Sequence, residues 1–133
     1  MKQWVIAVTV LFSCFAVAQD DHASSSVARA WLEIVDAENY FQSYQLTDNA
    51  FKYVLTAPQW EDALNNIRLP FGRVVWRSEI KHKEMNSIPG WPRGEYITIE
   101  FNTKFEMSNA IIETVTLSRN SGEWRPIGYF IKL

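Results

Sequence analysis

The stretch Ile67-Arg68-Leu69-Pro70-Phe71-Gly72-Arg73-Val74-Val75-Trp76-Arg77 decides the fold. Before it, Trp60, Ala63, Leu64 and Ile67 recur at three- and four-residue spacing, which puts them on one apolar face of a helix. Pro70 and Gly72 interrupt that period, because proline lacks the amide a helix must donate and glycine readily ends one. Beyond Gly72 the spacing becomes two, and branched and aromatic residues take over, as in half-buried strands.

Working back from this switch, Thr56-Ala57-Pro58-Gln59 has the order of a capping box with proline in the first turn, and it opens a helix over 57–69. Ser25 or Ser26 can cap an earlier helix over 26–38, whose face carries Val27, Ala30, Trp31, Ile34 and Val35. Two short helical pieces lie between, one through Tyr40, Phe41 and Tyr44 to Leu46, the other over Phe51–Leu55, parted by Thr47-Asp48-Asn49.

Working forward, residues 73–83, 96–107, 110–119 and 124–133 read as four antiparallel strands. The first two are joined by a loop, Asn86 to Gly94, whose two prolines and two glycines forbid regular structure. Asn109 and Asn120-Ser121-Gly122 mark the later turns, and Pro126 requires a bulge or an edge position because it cannot donate to a ladder. Helices followed by a meander give an α+β fold, N-terminal helices packed on a curved four-stranded antiparallel sheet.

The chain opens on Met1-Lys2-Gln3, an apolar run from Trp4 to Phe12, and Ala16-Val17-Ala18 before Gln19-Asp20-Asp21, the pattern of a secretory signal peptide cleaved after Ala18. The expected organisation is a leader over 1–18, a polar tether over 19–26 and one domain over 27–133, periplasmic or secreted, without a stable membrane anchor after cleavage. Leu11-Phe12-Ser13-Cys14 loosely resembles a lipobox, but bulky Phe12 and the apolar residues after Cys14 argue against lipidation. Cys14, the one cysteine, leaves with the leader, so stability must come from packing. Lys and Arg number 13 against 15 Asp and Glu, and cleavage removes Lys2 as well. With no basic patch to attract phosphates, nucleic acid is not an expected partner.

Several motifs resemble a secreted bacterial family catalogued as domain of unknown function 4019. They are Trp31-Leu32 with Val35-Asp36, Phe51-Lys52, Gln59-Trp60, Arg68-Leu69-Pro70 with Gly72, Arg77, Ile88-Pro89-Gly90, Gly94-Glu95-Tyr96, Phe101, Phe105, Glu113 to Thr116, Gly122 to Arg125 and Gly128 to Lys132. The element order is also similar to the cystatin-like and nuclear-transport-factor-like roll. The resemblance implies fold and export but no reaction, cofactor or ligand. Trp91 and Arg93 depart from the small, acidic loop more usual in the family.

The residues themselves supply no catalytic set. His22 falls in the tether, His82 reads as a solvated strand residue, two separated histidines make no metal cluster, and the glycines form no phosphate loop. No catalytic residue, metal ligand or cofactor is assigned. One anomaly stands out: the two-residue period puts Glu113 on the apolar side of its strand with Ile111, Val115 and Leu117. A buried carboxylate needs a cation or donors, and Arg68 and Arg77 are the candidates, with Tyr96 and Tyr129 able to complete the network. Its bland role is an ion pair docking the third helix. Its functional role is a pocket where arginine and glutamate meet a small polar ligand.

Trp91, held between Gly90 and Pro92, is either a recognition residue or a lid folded onto the sheet edge. Trp31, Trp60, Phe101, Phe105 and Tyr129 read as core. The candidate binding residues are thus Arg68, Arg77, Glu113, Tyr129 and Trp91. The leading expectation is a non-enzymatic binding or interaction module, presenting the sheet's concave face or the Trp91 loop to a small polar ligand or another exported protein. Two alternatives stand beside it: a pocket enzyme using Glu113 or Asp36 as a base, and an inhibitor or immunity partner of an exported protein.

Overall fold

A computed structural model describes residues 19–133, with side chains from Ala23 onward. The expected leader, its cleavage point and Cys14 lie outside the described residues. Helix α1 runs over Gln19–Asp36, α2 over Tyr40–Gln45 and α3 over Ala57–Arg68, with 3-10 turns at Asn49–Tyr53 and Leu69–Phe71. Strands β1 (Val74–Met85), β2 (Tyr96–Phe105), β3 (Ser108–Ser118) and β4 (Arg125–Lys132) follow. They pair antiparallel in chain order as a meander, and the helices pack on one face of it.

The switch of period falls where expected. Thr56 accepts from the Gln59 amide while the Gln59 side chain accepts from the Thr56 amide, so α3 starts on a complete capping box. Gly72 then adopts φ +75°, a left-handed conformation, and turns the chain into β1.

Helix α1 differs from expectation at its start. The segment anticipated as a tether with a serine cap is helical from Gln19, because Ser24 and Ser25 lie inside the helix and bond across to the sheet. Ser24 Oγ sits 3.0 Å from His82 Nε2, and Ser25 Oγ donates to Glu79 Oε1 at 2.7 Å. His82, expected to be solvated, is therefore half-buried against the helix. Such serines contribute little to an isolated helix, and tertiary hydrogen bonds override that preference.

At its other end α1 closes with a Schellman arrangement: the Glu38 amide donates to the Val35 carbonyl and the Asn39 amide to that of Ile34. Glu38 takes the left-handed position at φ +63°, where a Cβ is strained. Glu38→Gly is expected to stabilise the domain by about 0.5–1 kcal/mol, read as a raised urea midpoint with unchanged slope; a lowered midpoint would contradict this account of the cap.

The core lies between α1 and the inner sheet face. Trp31, Leu32 and Val35 meet Ile97, Ile99, Phe101, Val115 and Leu117, all essentially without exposure. Trp60 joins from α3, 5.9 Å from Trp31 and 5.4 Å from Phe51 between ring centres. The helices thus fill the concave face that the sequence offered as a presenting surface. Val75 is exposed at a register shift between Val74 and Trp76. Pro126 sits on the edge strand beside another shift, where Leu117 faces Pro126 and Thr116 faces Gly128, and its carbonyl accepts from the Asp48 amide at 2.9 Å.

Candidate functional site: an interior ion cluster and a groove at the loop end

Four strands and two helices bring six polar side chains together in the core. Glu113 lies opposite Phe101 of β2 and Ile131 of β4, on the inner face, with no exposure. Arg77, two strands away, reaches over Thr103, its register partner, and donates Nε to Glu113 Oε1 at 2.8 Å and Nη2 to Oε2 at 3.3 Å. Thr103 donates to Oε1 and Tyr129 to Oε2, so a fully buried carboxylate is saturated with donors. This is the condition under which burial of a charge is tolerable.

The second carboxylate is Asp36, in the last turn of α1. That turn contains no basic residue, and the negative end of the helix dipole disfavours an anion there. Two cations from other elements offset this. Arg68, ending α3, donates Nη2 to Asp36 Oδ1 at 2.7 Å, while Arg77 donates Nη1 to Oδ2 at 2.8 Å and Nη2 to Oδ1 at 3.0 Å. Arg68 also donates to the Tyr129 hydroxyl at 3.3 Å and stands 5.4 Å over the Phe105 ring. Two arginines and two carboxylates, with Thr103 and Tyr129, close one electroneutral cluster that joins α1, α3 and all four strands.

The sequence identified Arg68, Arg77, Glu113 and Tyr129, and the structure brings these four together. It missed Thr103, whose signal was the same as that of Glu113: a polar residue alternating inward between Phe101 and Phe105. It named Asp36 as a possible base but not as the second anchor of the arginines. Tyr96 does not join; its ring is buried at the far end of β2, where the hydroxyl donates to the Pro92 carbonyl and accepts from Asn120 Nδ2 at 2.9 Å. Trp91 is half-buried and packs against the hydrophobic core.

Burial raises the Tyr129 phenol well above its ordinary range; the Glu113 charge adds to this and Arg68 partly opposes it. For Arg68 and Arg77 burial alone would favour loss of the proton, but the surrounding acidic groups outweigh it and both are held more firmly protonated than free arginine. Tyr129 therefore keeps its proton in the folded state at pH values where the unfolded phenol, near ~10, has lost it. Stability from this group is complete below that pH, and it falls as pH rises towards the folded value, by up to about 1.4 kcal/mol per pH unit. Tyr129→Phe should flatten this alkaline decline in urea unfolding followed from pH 9 to 11, while costing about 1–3 kcal/mol at neutral pH through the lost donor to Glu113. An unchanged alkaline slope would refute the assignment.

The cluster opens to solvent through a cleft of about 140 Å³ bordered by Asp36, Tyr40, Asn65, Arg68, Arg73 and Glu106. Ordinary ligand pockets span about 300–1,000 Å³, so this cleft admits only very small molecules. Among the described residues no group of three or more His, Cys, Asp or Glu side chains is placed to hold a metal ion.

A larger groove, of about 580 Å³, lies at the loop end of the sheet between Glu84, Asn86, Glu95, Tyr96, Arg119 and Trp124. One wall is the 86–95 loop, and it is clamped. Asn120 accepts from the Glu95 amide at 3.1 Å and donates to Tyr96, while Tyr96 holds Pro92. Gly94 lies so close to this clamp that a Cβ there would fall 1.9 Å from Asn120 Oδ1. Gly94→Ala should cost about 1–3 kcal/mol by dislodging Asn120, and Gly94→Ala combined with Asn120→Ala should melt no lower than Asn120→Ala alone. Additive losses would show that some other contact excludes the side chain. On the opposite wall Arg119 stands 5.8 Å over the Trp124 ring, whose buried indole N–H has no acceptor among the described residues. Buried donors are rarely left so.

Fold and site together define a small α+β domain: a meander sheet cradling three helices, locked by an interior ion cluster and carrying a preformed groove at one end. A family model described as a protein of unknown function, DUF4019, matches residues 27–129, and the chain belongs to that family. No curated protein matches the chain.

Proposed function

We propose that this protein is an exported, non-enzymatic binding module whose ligand site is the groove between the 86–95 loop and Trp124. The observation that carries the reading is the contrast between the two polar sites. In the cluster every ionic group is directed at another: all three nitrogens of Arg77 donate to Asp36 or Glu113, and Glu113 has no exposure. A base so engaged has no lone pair to offer a substrate.

In the groove Glu84, Glu95 and Arg119 line an open mouth beside Tyr96 and Trp124; Arg119 and Glu95 stand 3.9 Å apart with both side chains exposed to solvent, and the loop wall is held by the Asn120 clamp. Such preorganisation lowers the ordering cost of binding. A short polar peptide or small zwitterion matches this mix of both charges and one large ring. Export follows from the leader, and kinship with the cystatin-like and nuclear-transport-factor-like rolls from the element order, a fold that serves binding as readily as catalysis.

Amide chemical-shift mapping with mixtures of amino acids and short peptides tests the proposal. Shifts concentrated at 84–86, 94–96 and 119–124, abolished by Arg119→Glu, are expected. Shifts centred on Asp36 and Arg68 would instead restore the cluster cleft as the site.

A further inference from the structure

The outer face of the sheet lies opposite the helices. The register defines its rows: Trp76 with Lys104; Ser78, Asn102, Ile112 and Lys132; Lys81, Glu100, Thr114 and Phe130; and Lys83, Thr98, Thr116 and Gly128. Four lysines stand there against one glutamate, in a chain whose formal net charge is −2. The charge is thus sorted by the strands: apart from Glu100, the strand carboxylates Glu79, Glu84 and Glu113 alternate to the inner side, and one face of an acidic protein is basic.

The same face exposes large apolar groups. Phe130 is 65% exposed, Trp76 45%, and Ile80, the extra residue of the bulge between Glu79 and Lys81, 53%. Trp76 and Phe130 lie towards opposite sides of the face, with lysines beside each and threonines between.

We propose that this face adsorbs the domain to an anionic lipid surface. Lysine ammonium groups are drawn to negatively charged headgroups, and each contributes a modest, salt-sensitive increment of affinity. Aromatic rings settle at the headgroup boundary, and charge and apolar contact together give the two signals that stable but reversible attachment requires. Lipid is favoured over an extended polyanion because the exposed apolar groups add insertion to charge. Among the described residues no helix is long and apolar enough to cross a membrane. The inference goes beyond the groove reading and does not rest on it.

Co-sedimentation of the chain, freed of residues 1–18, with vesicles tests it. Vesicles containing phosphatidylglycerol should bind, pure phosphatidylcholine should not, and about 0.5 M salt should release the protein. Lys81→Glu with Lys83→Glu should weaken binding by about tenfold or more, and Trp76→Ser with Phe130→Ser by severalfold, each with an unchanged circular dichroism spectrum. Lys52→Glu, in the helical half, should have little effect. Three results overturn the proposal: no binding to anionic vesicles, equal binding to neutral ones, or binding to polyglutamate or single-stranded DNA that vesicles do not share. Should the serine or glutamate variants misfold, Lys81→Gln with Lys83→Gln and Trp76→Thr provide milder probes, and undiminished binding by these would overturn it equally.

Discussion

Glu113→Ala is expected to lower the unfolding free energy by about 3–5 kcal/mol, the usual cost of removing one partner from a buried ionic cluster. Thr103 and Tyr129 lose their acceptor, and Asp36 alone is left to face two guanidinium groups. For a domain of this size the melting temperature should fall by on the order of 10–20 °C. Glu113→Gln, which keeps the shape and one acceptor, should recover part of that loss. The more discriminating experiment replaces the group together. If the cluster serves fold specificity more than stability, Glu113→Leu with Arg77→Met, Arg68→Met and Asp36→Ala should be markedly more stable than Glu113→Ala. A drop of less than about 1 kcal/mol for Glu113→Ala in urea unfolding would mean that the cluster is not coupled as its geometry implies.

The second large effect belongs to Trp60→Ala, about 3–5 kcal/mol. Trp60 fills the space among Trp31, Phe51 and Leu64, and its indole donates to the buried Ser43 hydroxyl at 3.0 Å. Ser43 in turn donates to the Tyr40 carbonyl at 2.6 Å, while its own carbonyl accepts from Trp31 Nε1 at 2.9 Å. One short helix is therefore pinned between two longer ones by a pair of indoles. Trp60→Phe keeps most of the volume and removes the N–H, so it should cost about 1–2 kcal/mol. The difference between the two variants separates packing from hydrogen bonding, and equal losses would show that the hydrogen bond dominates.

Both predictions bear on function, because the cluster and the indole pair fix where α1 and α3 lie on the sheet. The groove is built from other elements, the 86–95 loop and the β3–β4 connection. If the groove is the ligand site proposed above, stability and binding are separable by mutation: cluster variants should melt early yet give the same groove shifts when folded.

Local chemistry made much of this legible in the chain itself. The helical spacing of Trp60, Leu64 and Ile67, the box at Thr56 and Gln59, the stop at Pro70 and Gly72 and the alternation beyond them depend on near neighbours, so the α+β order follows from the sequence directly. Glu113 was also visible, since a carboxylate among alternating apolar residues breaks a pattern that local sequence defines, and the cost of burying it demanded an arginine. What the chain could not disclose was everything set by partners distant in sequence. Serines 24 and 25 became helical through contacts with β1, Tyr96 was drawn to Asn120 instead of Glu113, Thr103 gained its role from the register of β2 against β3, and four scattered lysines became one face only when the strands were laid side by side. Periodicity tells which side of an element a residue occupies; only tertiary pairing decides what that side meets.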